Sequence, residues 1–191
     1  MEKKSLLYKF MRNYFGKLVI FWFNPKIEGK IEVEGPVIMA SNHLHAFDPY
    51  WPVISSDRMI HYMAKKECFD NIWIRWFVKS MGCISVDRKN KNEEAINKSI
   101  EILKAGGALG IFPEGTRNRT NEILKPFKFG AVSLASKTDA YIVPIGISGK
   151  YKFRSKNLVV RYGEPFKVNN MTLEEANAKL ESEIKKLILG E

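Results

Sequence analysis

The chain has 191 residues, a formal net charge of +10 and two cysteines, and its residues are 45% hydrophobic and 27% charged. These values exclude a disordered chain, a disulfide-stapled scaffold and a protein with two large domains. The excess of Lys and Arg favours an anionic partner: nucleic acid, a membrane surface, a phosphorylated substrate or an acidic carrier protein.

Residues 5–23 are predicted to form an amphipathic helix. Its large apolar side chains recur at helical spacing: Leu7, Phe10, Met11, Tyr14, Leu18 and Phe21. Polar and basic side chains lie on the other face: Lys9, Arg12, Asn13 and Lys17. A helix that packs on the core fits this pattern, but the aromatic content and terminal position favour one that lies in a membrane interface. The longest uncharged run, 18–25, falls short of the ~20 apolar residues of a membrane-spanning helix.

After Pro25, short apolar runs alternate with longer helical patterns. Strands are predicted over 36–41, 59–65, 83–87, 108–113, 140–147 and 158–163. Helices are predicted after Asp48 and over about 70–80, 91–104, 128–137 and 172–189. This alternation predicts a single α/β domain with a mixed, mostly parallel sheet flanked by helices.

Residues 69–82 form a second aromatic and basic segment, "FDNIWIRWFVKSMG". Its rings, Phe69, Trp73, Trp76 and Phe77, are interpreted by default as buried core. Because tryptophans beside cations also suit the headgroup region, a membrane interface is the alternative.

The stretch "NHLHAFD", residues 42–48, carries the first candidate site. Asn42 and His43 follow a predicted strand, at the sheet edge where α/β proteins bind ligands. His43 and Asp48 can meet only if the chain turns between them. Asp48 and Pro49 suit the start of a helix, so Asp48 is interpreted as a helix N-cap whose second oxygen can orient His43 as a base.

Metal binding and nucleophilic hydrolysis are alternatives for this stretch. His43, His45 and Asp48 could supply three metal ligands, but no further His/Asp cluster follows. The chain has no G-x-S-x-G elbow, and Cys83 lies in an apolar strand, which is typical of an inert thiol.

The loop "IFPEGTRNRT", residues 111–120, is the second candidate site. Pro113, Glu114 and Gly115 turn the chain after a predicted strand and present Thr116 and Arg117. Arginine suits bidentate capture of phosphate, although a solvated basic loop gives the same pattern. The stretch "GCISVDR", residues 82–88, also ends a strand with a charged pair.

The chain contains four short motifs in this order: "NHLHAFD" (42–48), "GCISVDR" (82–88), "FPEGTR" (112–117) and "VPI" (143–145). With these blocks the chain resembles the glycerophospholipid acyltransferases, specifically the bacterial lysophosphatidate (1-acylglycerol-3-phosphate) acyltransferases. The resemblance runs from about residue 30 to 165. It implies an α/β sheet with an N-terminal helical membrane mount.

The resemblance implies a role for each matched residue. His43 is expected to be the general base, Asp48 to orient it, and Pro144 to shape the acyl-donor side. The expected substrate-binding residues are Asn42, Gly82, Arg88, Glu114, Gly115, Thr116 and Arg117. No metal and no cofactor are expected, with acyl-CoA or acyl carrier protein as co-substrate. Two positions depart from the family: His45 stands where a small polar residue is frequent, and Phe129 beside Lys128 where a basic pair is common.

The expected function is transfer of a fatty acyl group from a thioester to lysophosphatidate, giving phosphatidate for phospholipid biosynthesis. Alternatives are another lysolipid or glycerol 3-phosphate as acceptor, a metal-dependent hydrolase, and a basic membrane-binding module without catalysis. The expected partners are the lysophospholipid, the acyl donor and an anionic membrane surface, not nucleic acid. The resemblance places the protein at the cytoplasmic face of the cell membrane, peripheral or monotopic, with residues 1–24 as an interfacial helix and 25–191 as the acyltransferase domain.

Overall fold

The structure is a computed structural model that describes residues 5–30, 33–87 and 93–191. Within these ranges seven strands form one sheet: β1 (Lys26–Glu28), β2 (Val37–Ser41), β3 (Ile60–Lys65), β4 (Ile84–Val86), β5 (Ala108–Ile111), β6 (Tyr141–Ser148) and β7 (Val159–Tyr162). The strand order is β1-β7-β6-β2-β5-β3-β4. Strands β6, β2, β5, β3 and β4 are mutually parallel, whereas β7 runs antiparallel to β6. The carboxyl ends of five strands therefore meet at one edge.

The described helices are α1 (Leu6–Phe10), α2 (Gly16–Phe23), α3 (Tyr50–Ser55), α4 (Ile72–Ser80), α5 (Glu93–Lys104), α6 (Gly130–Thr138) and α7 (Leu173–Leu189). A π-helical turn, Met11–Phe15, joins α1 to α2, and a 3₁₀ turn, Lys66–Phe69, precedes α4. Helix α7 begins with a capping box between Thr172 and Glu175 and ends at Gly190, which has a left-handed backbone.

The predicted fold class is confirmed: one α/β domain with a mixed, mostly parallel sheet. Each predicted strand and helix is present within a few residues of its predicted ends. Strand β1 was not predicted, because the three residues Lys-Ile-Glu are too few to show the alternation of a strand.

The core consists of two apolar layers, one on each face of the sheet. Successive residues of β2 point to opposite faces, so Ile38 and Ala40 join the layer under α5, α6 and α7, whereas Val37 and Met39 join the other layer. All of β2 is buried, as expected of a central parallel strand covered on both sides. The second layer also contains residues of α2 and α3.

The N-terminal segment contributes to this second layer. Tyr8, Val19 and Phe23 are buried there. The Tyr8 hydroxyl donates to the carbonyl of Arg58 at 3.1 Å and accepts from the amide of Ile60 at 3.0 Å. The proposed division at residue 24 is therefore not a division of the core.

The outer face of this segment carries large apolar side chains together with the polar residues Lys9, Asn13 and Lys17. More than half of each of four side chains is exposed: Phe10, Tyr14, Leu18 and Phe21. Arg12, which the sequence groups with Lys9 and Lys17, is only 23% exposed, because its guanidinium donates to the Ser56 carbonyl and to Asp57. In the part of the chain that the structure describes, no helix is long and apolar enough to cross a membrane.

Residues 69–82 are not core, and the default interpretation is corrected. Helix α4 is capped by Asn71, whose side chain accepts from the amides of Trp73 and Ile74, and none of the helix residues is buried. Trp73 is 78% exposed and Trp76 is 60% exposed. The membrane-interface alternative stays a prediction.

Candidate active site

Three loops meet at the carboxyl edge of the sheet, after β2, β5 and β6. Asn42 joins the first of them to β6, because its side-chain amide donates to the Ile147 carbonyl and accepts from the Ile147 amide, both at 2.8 Å. Asn42 is buried. These two hydrogen bonds fix the backbone just before His43, so Asn42 positions the site. Its predicted contact with substrate stays a prediction.

His43 and Asp48 form the expected pair. His43 Nδ1 lies 2.7 Å from Asp48 Oδ2, and the same oxygen accepts from the amides of Leu44 and His45 at 2.6 Å each. The Asp48 carboxylate is fully buried, and the three partners of its Oδ2, His43, Leu44 and His45, all precede it in the chain. These hydrogen bonds hold the turn between His43 and Asp48 closed. The prediction that Asp48 also caps a helix is wrong: helix α3 begins at Tyr50, after Pro49, with no side-chain cap.

The second carboxylate oxygen of Asp48 has a partner that sequence reasoning missed. The Tyr151 hydroxyl, in the loop after β6, hydrogen-bonds to Asp48 Oδ1, and Trp51 Nε1 lies 2.6 Å from the same hydroxyl oxygen. An indole N–H can only donate, so the tyrosine proton is directed at the carboxylate. Burial first, and the Asp48 charge second, raise the pKa of Tyr151, which keeps that proton in place.

The His43 ring has one nitrogen available for chemistry. A carboxylate can only accept, so Nδ1 carries the proton and Nε2 has a free lone pair. The ring is stacked on Phe112, with centroids 4.0 Å apart, and the side chain is 16% exposed. Nε2 makes no hydrogen bond among the described residues. This arrangement can accept a proton from a group that approaches the open side of the ring.

The "FPEGTR" loop is fastened to His43 at two points. Glu114 accepts from the His43 amide at 2.8 Å and from the Lys125 amide at 3.0 Å. The Asn118 amide donates to the His43 carbonyl at 2.6 Å. Burial raises the pKa of Glu114, and these amides oppose that effect. Both oxygens of Glu114 thus serve the backbone, a positioning role that sequence reasoning missed; a contact with substrate stays a prediction.

The remaining residues of this loop lie at the same edge. Thr116 and Arg117 are exposed, and Arg117 immediately precedes the Asn118 amide that contacts His43. Gly115 has a φ of +69°, and a side-chain carbon there would come within 3.0 Å of the Lys128 side chain. Glycine therefore lets Lys128 approach the loop closely.

Gly82 and Pro144 are not brought to His43, and Arg88 lies outside the described residues. Gly82 precedes β4, so it lies at the amino edge of the parallel sheet, where its carbonyl contacts His61 Nδ1 at 2.7 Å. Gly82 therefore lies at the sheet edge opposite His43, and its predicted contact with substrate stays a prediction. Pro144 lies within β6, paired with Ala40 and packed against Gly163. Its role on the acyl-donor side stays a prediction.

His45 belongs to an aromatic cluster. Its ring is stacked on Tyr151 with centroids 4.3 Å apart and meets Phe23 edge-on at 6.1 Å. Among the described residues, no three of His, Cys, Asp and Glu are arranged so that they could hold a metal ion.

A family model described as Acyltransferase matches residues 24–148, which include the His43 pair and the "FPEGTR" loop. The chain belongs to the acyltransferase family. It is 44% identical over 110 residues to a 1-acyl-sn-glycerol-3-phosphate acyltransferase of Bacillus subtilis, covering 56% of this chain and 54% of that protein. It is 32% identical over 149 residues to the protein of the same name from Saccharomyces cerevisiae, covering 72% of this chain and 49% of that one. The chain thus spans about half the length of these curated relatives.

The fold is shared with a solved acyltransferase. The crystal structure of the 1-acyl-sn-glycerophosphate acyltransferase PlsC from Thermotoga maritima superposes with a TM-score of 0.78 at 23% identity. The match covers 94% of this chain and 77% of that one. At this identity the likeness supports the α/β architecture.

Proposed function

We propose that this chain transfers a fatty acyl group from a thioester to the free hydroxyl of lysophosphatidate, giving phosphatidate. The observation that carries the proposal is the His43–Asp48 pair, with Nε2 open, fastened to the arginine-bearing loop at residues 112–117. Relatives that are 44% and 31% identical to this chain over part of its length bear the name 1-acyl-sn-glycerol-3-phosphate acyltransferase. The donor is acyl-CoA or acyl carrier protein.

The proposed chemistry is direct transfer. His43 Nε2 removes the proton from the acceptor hydroxyl as its oxygen attacks the thioester carbonyl. The carbon–sulfur bond then breaks, and the thiolate takes the proton from the imidazolium, so the ring returns to its starting form. Asp48 holds the ring orientation and stabilises the imidazolium. No acyl-enzyme forms, and no metal is required.

The acceptor phosphate is proposed to bind Arg117, with Lys128 close by. Arg117 is exposed at the edge where His43 lies and follows a proline–glycine turn, so its planar guanidinium can take a phosphate bidentately. A phosphate held there would bring the glycerol hydroxyl towards Nε2, and positioning of this kind lowers the barrier by several kcal/mol.

The proposed site of action is the cytoplasmic face of the cell membrane. The net charge of +10 and the exposed apolar face of α1 and α2 support attachment to anionic lipid. Among the described residues the attachment would be peripheral or monotopic.

A thiol-release assay tests the proposal. The protein is given acyl-CoA or acyl carrier protein, with and without lysophosphatidate, in the presence of a metal chelator. Thiol release and phosphatidate formation in equal amounts, only with acceptor and despite chelator, are expected. Thiol release without acceptor would indicate a hydrolase, and loss of activity to chelator would indicate a metal site. Equal rates with glycerol 3-phosphate and lysophosphatidate would contradict the assignment of lysophosphatidate as the specific acceptor.

A further inference from the structure

A basic and aromatic surface lies beside the candidate active site. It consists of Phe21 and Trp22 at the end of α2 and of Lys152, Phe153, Arg154 and Lys156 in the loop between β6 and β7; we call it the loop surface. Phe21 is 58% exposed, Trp22 52% and Phe153 54%. The stretch 149–157 contains four cations, with Lys150, and no acidic residue. Large apolar area and positive charge thus occur together.

The exposure of these rings is built into the fold. The Arg154 amide donates to the Trp22 carbonyl at 2.7 Å, and the Ser155 amide donates to the Phe23 carbonyl at 3.0 Å. The rings of Trp22 and Phe153 meet edge-on at 4.9 Å, and the Arg154 guanidinium lies over Phe21 at 5.6 Å. Two segments about 130 residues apart therefore hold one another in place with their rings turned outward.

The loop surface is connected to the site on both of its segments. Tyr151, which precedes Lys152, hydrogen-bonds to Asp48. Phe23, which follows Trp22, contacts the rings of His45 and Tyr151. A partner bound to this surface would contact residues that adjoin Tyr151 and Phe23 in the chain, and Tyr151 itself contacts Asp48.

We infer that the loop surface docks on an anionic lipid bilayer. Aromatic rings beside cations suit the headgroup region, where rings sit at the apolar boundary and cations meet lipid phosphates. An acidic carrier protein would be met by the cations but would leave three half-exposed rings without an apolar partner. The inference rests on the proposed function, because a lipid acceptor has to reach His43 from a membrane. The inference assigns membrane docking to the loop surface, which the end of α2 forms together with the loop between β6 and β7.

Vesicle sedimentation tests the inference with matched triple variants. Lys152→Gln/Arg154→Gln/Lys156→Gln removes three cations from the loop surface. The control, Lys104→Gln/Lys137→Gln/Lys185→Gln, removes three exposed cations from α5, α6 and α7. On phosphatidylglycerol vesicles the loop variant should lower the partition constant roughly 10- to 100-fold. The control variant should change it little.

The ring contribution is tested separately. Phe153→Ser should weaken binding to phosphatidylglycerol vesicles more than Leu189→Ser, whose side chain is half exposed at the end of α7. Raised salt should weaken vesicle binding by the parent protein more than vesicle binding by the loop variant, because salt screens the cations that only the parent protein carries.

The outcomes separate this inference from its rivals and from the proposed function. Equal losses in both triple variants would mean a general charge effect, and an unchanged loop variant would move docking to α1 or α4; either result overturns the inference. Normal vesicle binding by the loop variant with a slower rate from acyl carrier protein, but not from acyl-CoA, would assign the surface to the carrier instead. If the parent protein transfers no acyl group but loses vesicle binding in the loop variant, the proposed function fails while the loop surface stands.

Discussion

The Tyr151 hydroxyl hydrogen-bonds to Asp48 Oδ1, the oxygen that His43 does not contact, and Trp51 directs the tyrosine proton towards it. Asp48 is fully buried, so the hydrogen bond from Tyr151 stabilises a carboxylate that water does not reach. Trp51 acts on Asp48 only through Tyr151. The loop after β6 thus reaches the pair that lies after β2, over 103 residues of sequence.

Tyr151→Phe should lower kcat, because Asp48 would lose the hydroxyl that holds its second carboxylate oxygen. Loss of one hydrogen bond to a charged group corresponds to roughly 10- to 100-fold in rate. The rate is compared with that of Tyr50→Phe, whose hydroxyl makes no hydrogen bond among the described residues. Equal rates for Tyr151→Phe and the parent protein would mean that this hydroxyl does not position the His43–Asp48 pair.

Glu114 should make stability depend on acid pH. Burial raises the pKa of this carboxyl in the folded protein, so folding favours its protonated form. Its contribution is fully present below the ordinary carboxyl pKa and is lost as pH rises through the raised value. Urea unfolding across this range should therefore show the parent losing stability relative to Glu114→Gln as pH rises. Glu122→Gln, at an exposed position, should run parallel to the parent; parallel curves for both variants would contradict the assignment.

Arg117→Lys should weaken use of lysophosphatidate although the net charge is unchanged. The substitution loses the planar two-bond fork, which corresponds to roughly 10- to 100-fold in kcat/KM, and Arg117→Ala should lose more. A neutral lysolipid should be affected little by either change. Arg119→Lys, two residues further along the same loop, is the control. Equal proportional losses for both acceptors would show that Arg117 serves the fold or the donor instead of the phosphate.

Tyr8→Phe should lower the free energy of unfolding by about 1–3 kcal/mol, because it leaves the Ile60 amide and the Arg58 carbonyl without this hydroxyl. Tyr14→Phe, at a 68% exposed ring, should change it by less than about 0.5 kcal/mol. Urea unfolding measures both. Equal values would mean that α1 packs only loosely on the domain. The expected difference also means that removing the first 23 residues would open the core, so truncation is a poor test of membrane attachment.

The sequence predicted the His43 site because its parts are local. A strand end, a five-residue spacing and a proline after Asp48 lie within one short stretch, and the turn they require is the one observed. The partners Trp51 and Tyr151 carried no signal, since Tyr151 comes 100 residues after Trp51 and meets it only when β6 pairs with β2. The same holds for Glu114, whose motif was visible but whose backbone contacts were not.

The position of Gly82 at the edge opposite His43 was foreseeable from the sequence. The block "GCISVDR" runs through a predicted strand, and about six residues in extended form span roughly 20 Å. The two ends of one strand lie at opposite edges of the sheet, so a block that runs through a strand cannot place both ends at one ligand. For α4 the interpretation was wrong: apolar content predicted burial, whereas the fold leaves those tryptophans exposed.

The most direct test of the account is the rate of acyl transfer to lysophosphatidate by His43→Ala. His45→Phe is the control, because it keeps a ring against Tyr151 and removes the neighbouring imidazole. Single-turnover rates with acyl-CoA and chelator should fall roughly 10²- to 10⁴-fold for His43→Ala, with folding unchanged by urea titration and only a small change for the control. Transfer by folded His43→Ala at near the parent rate would contradict the assignment of His43 as the base.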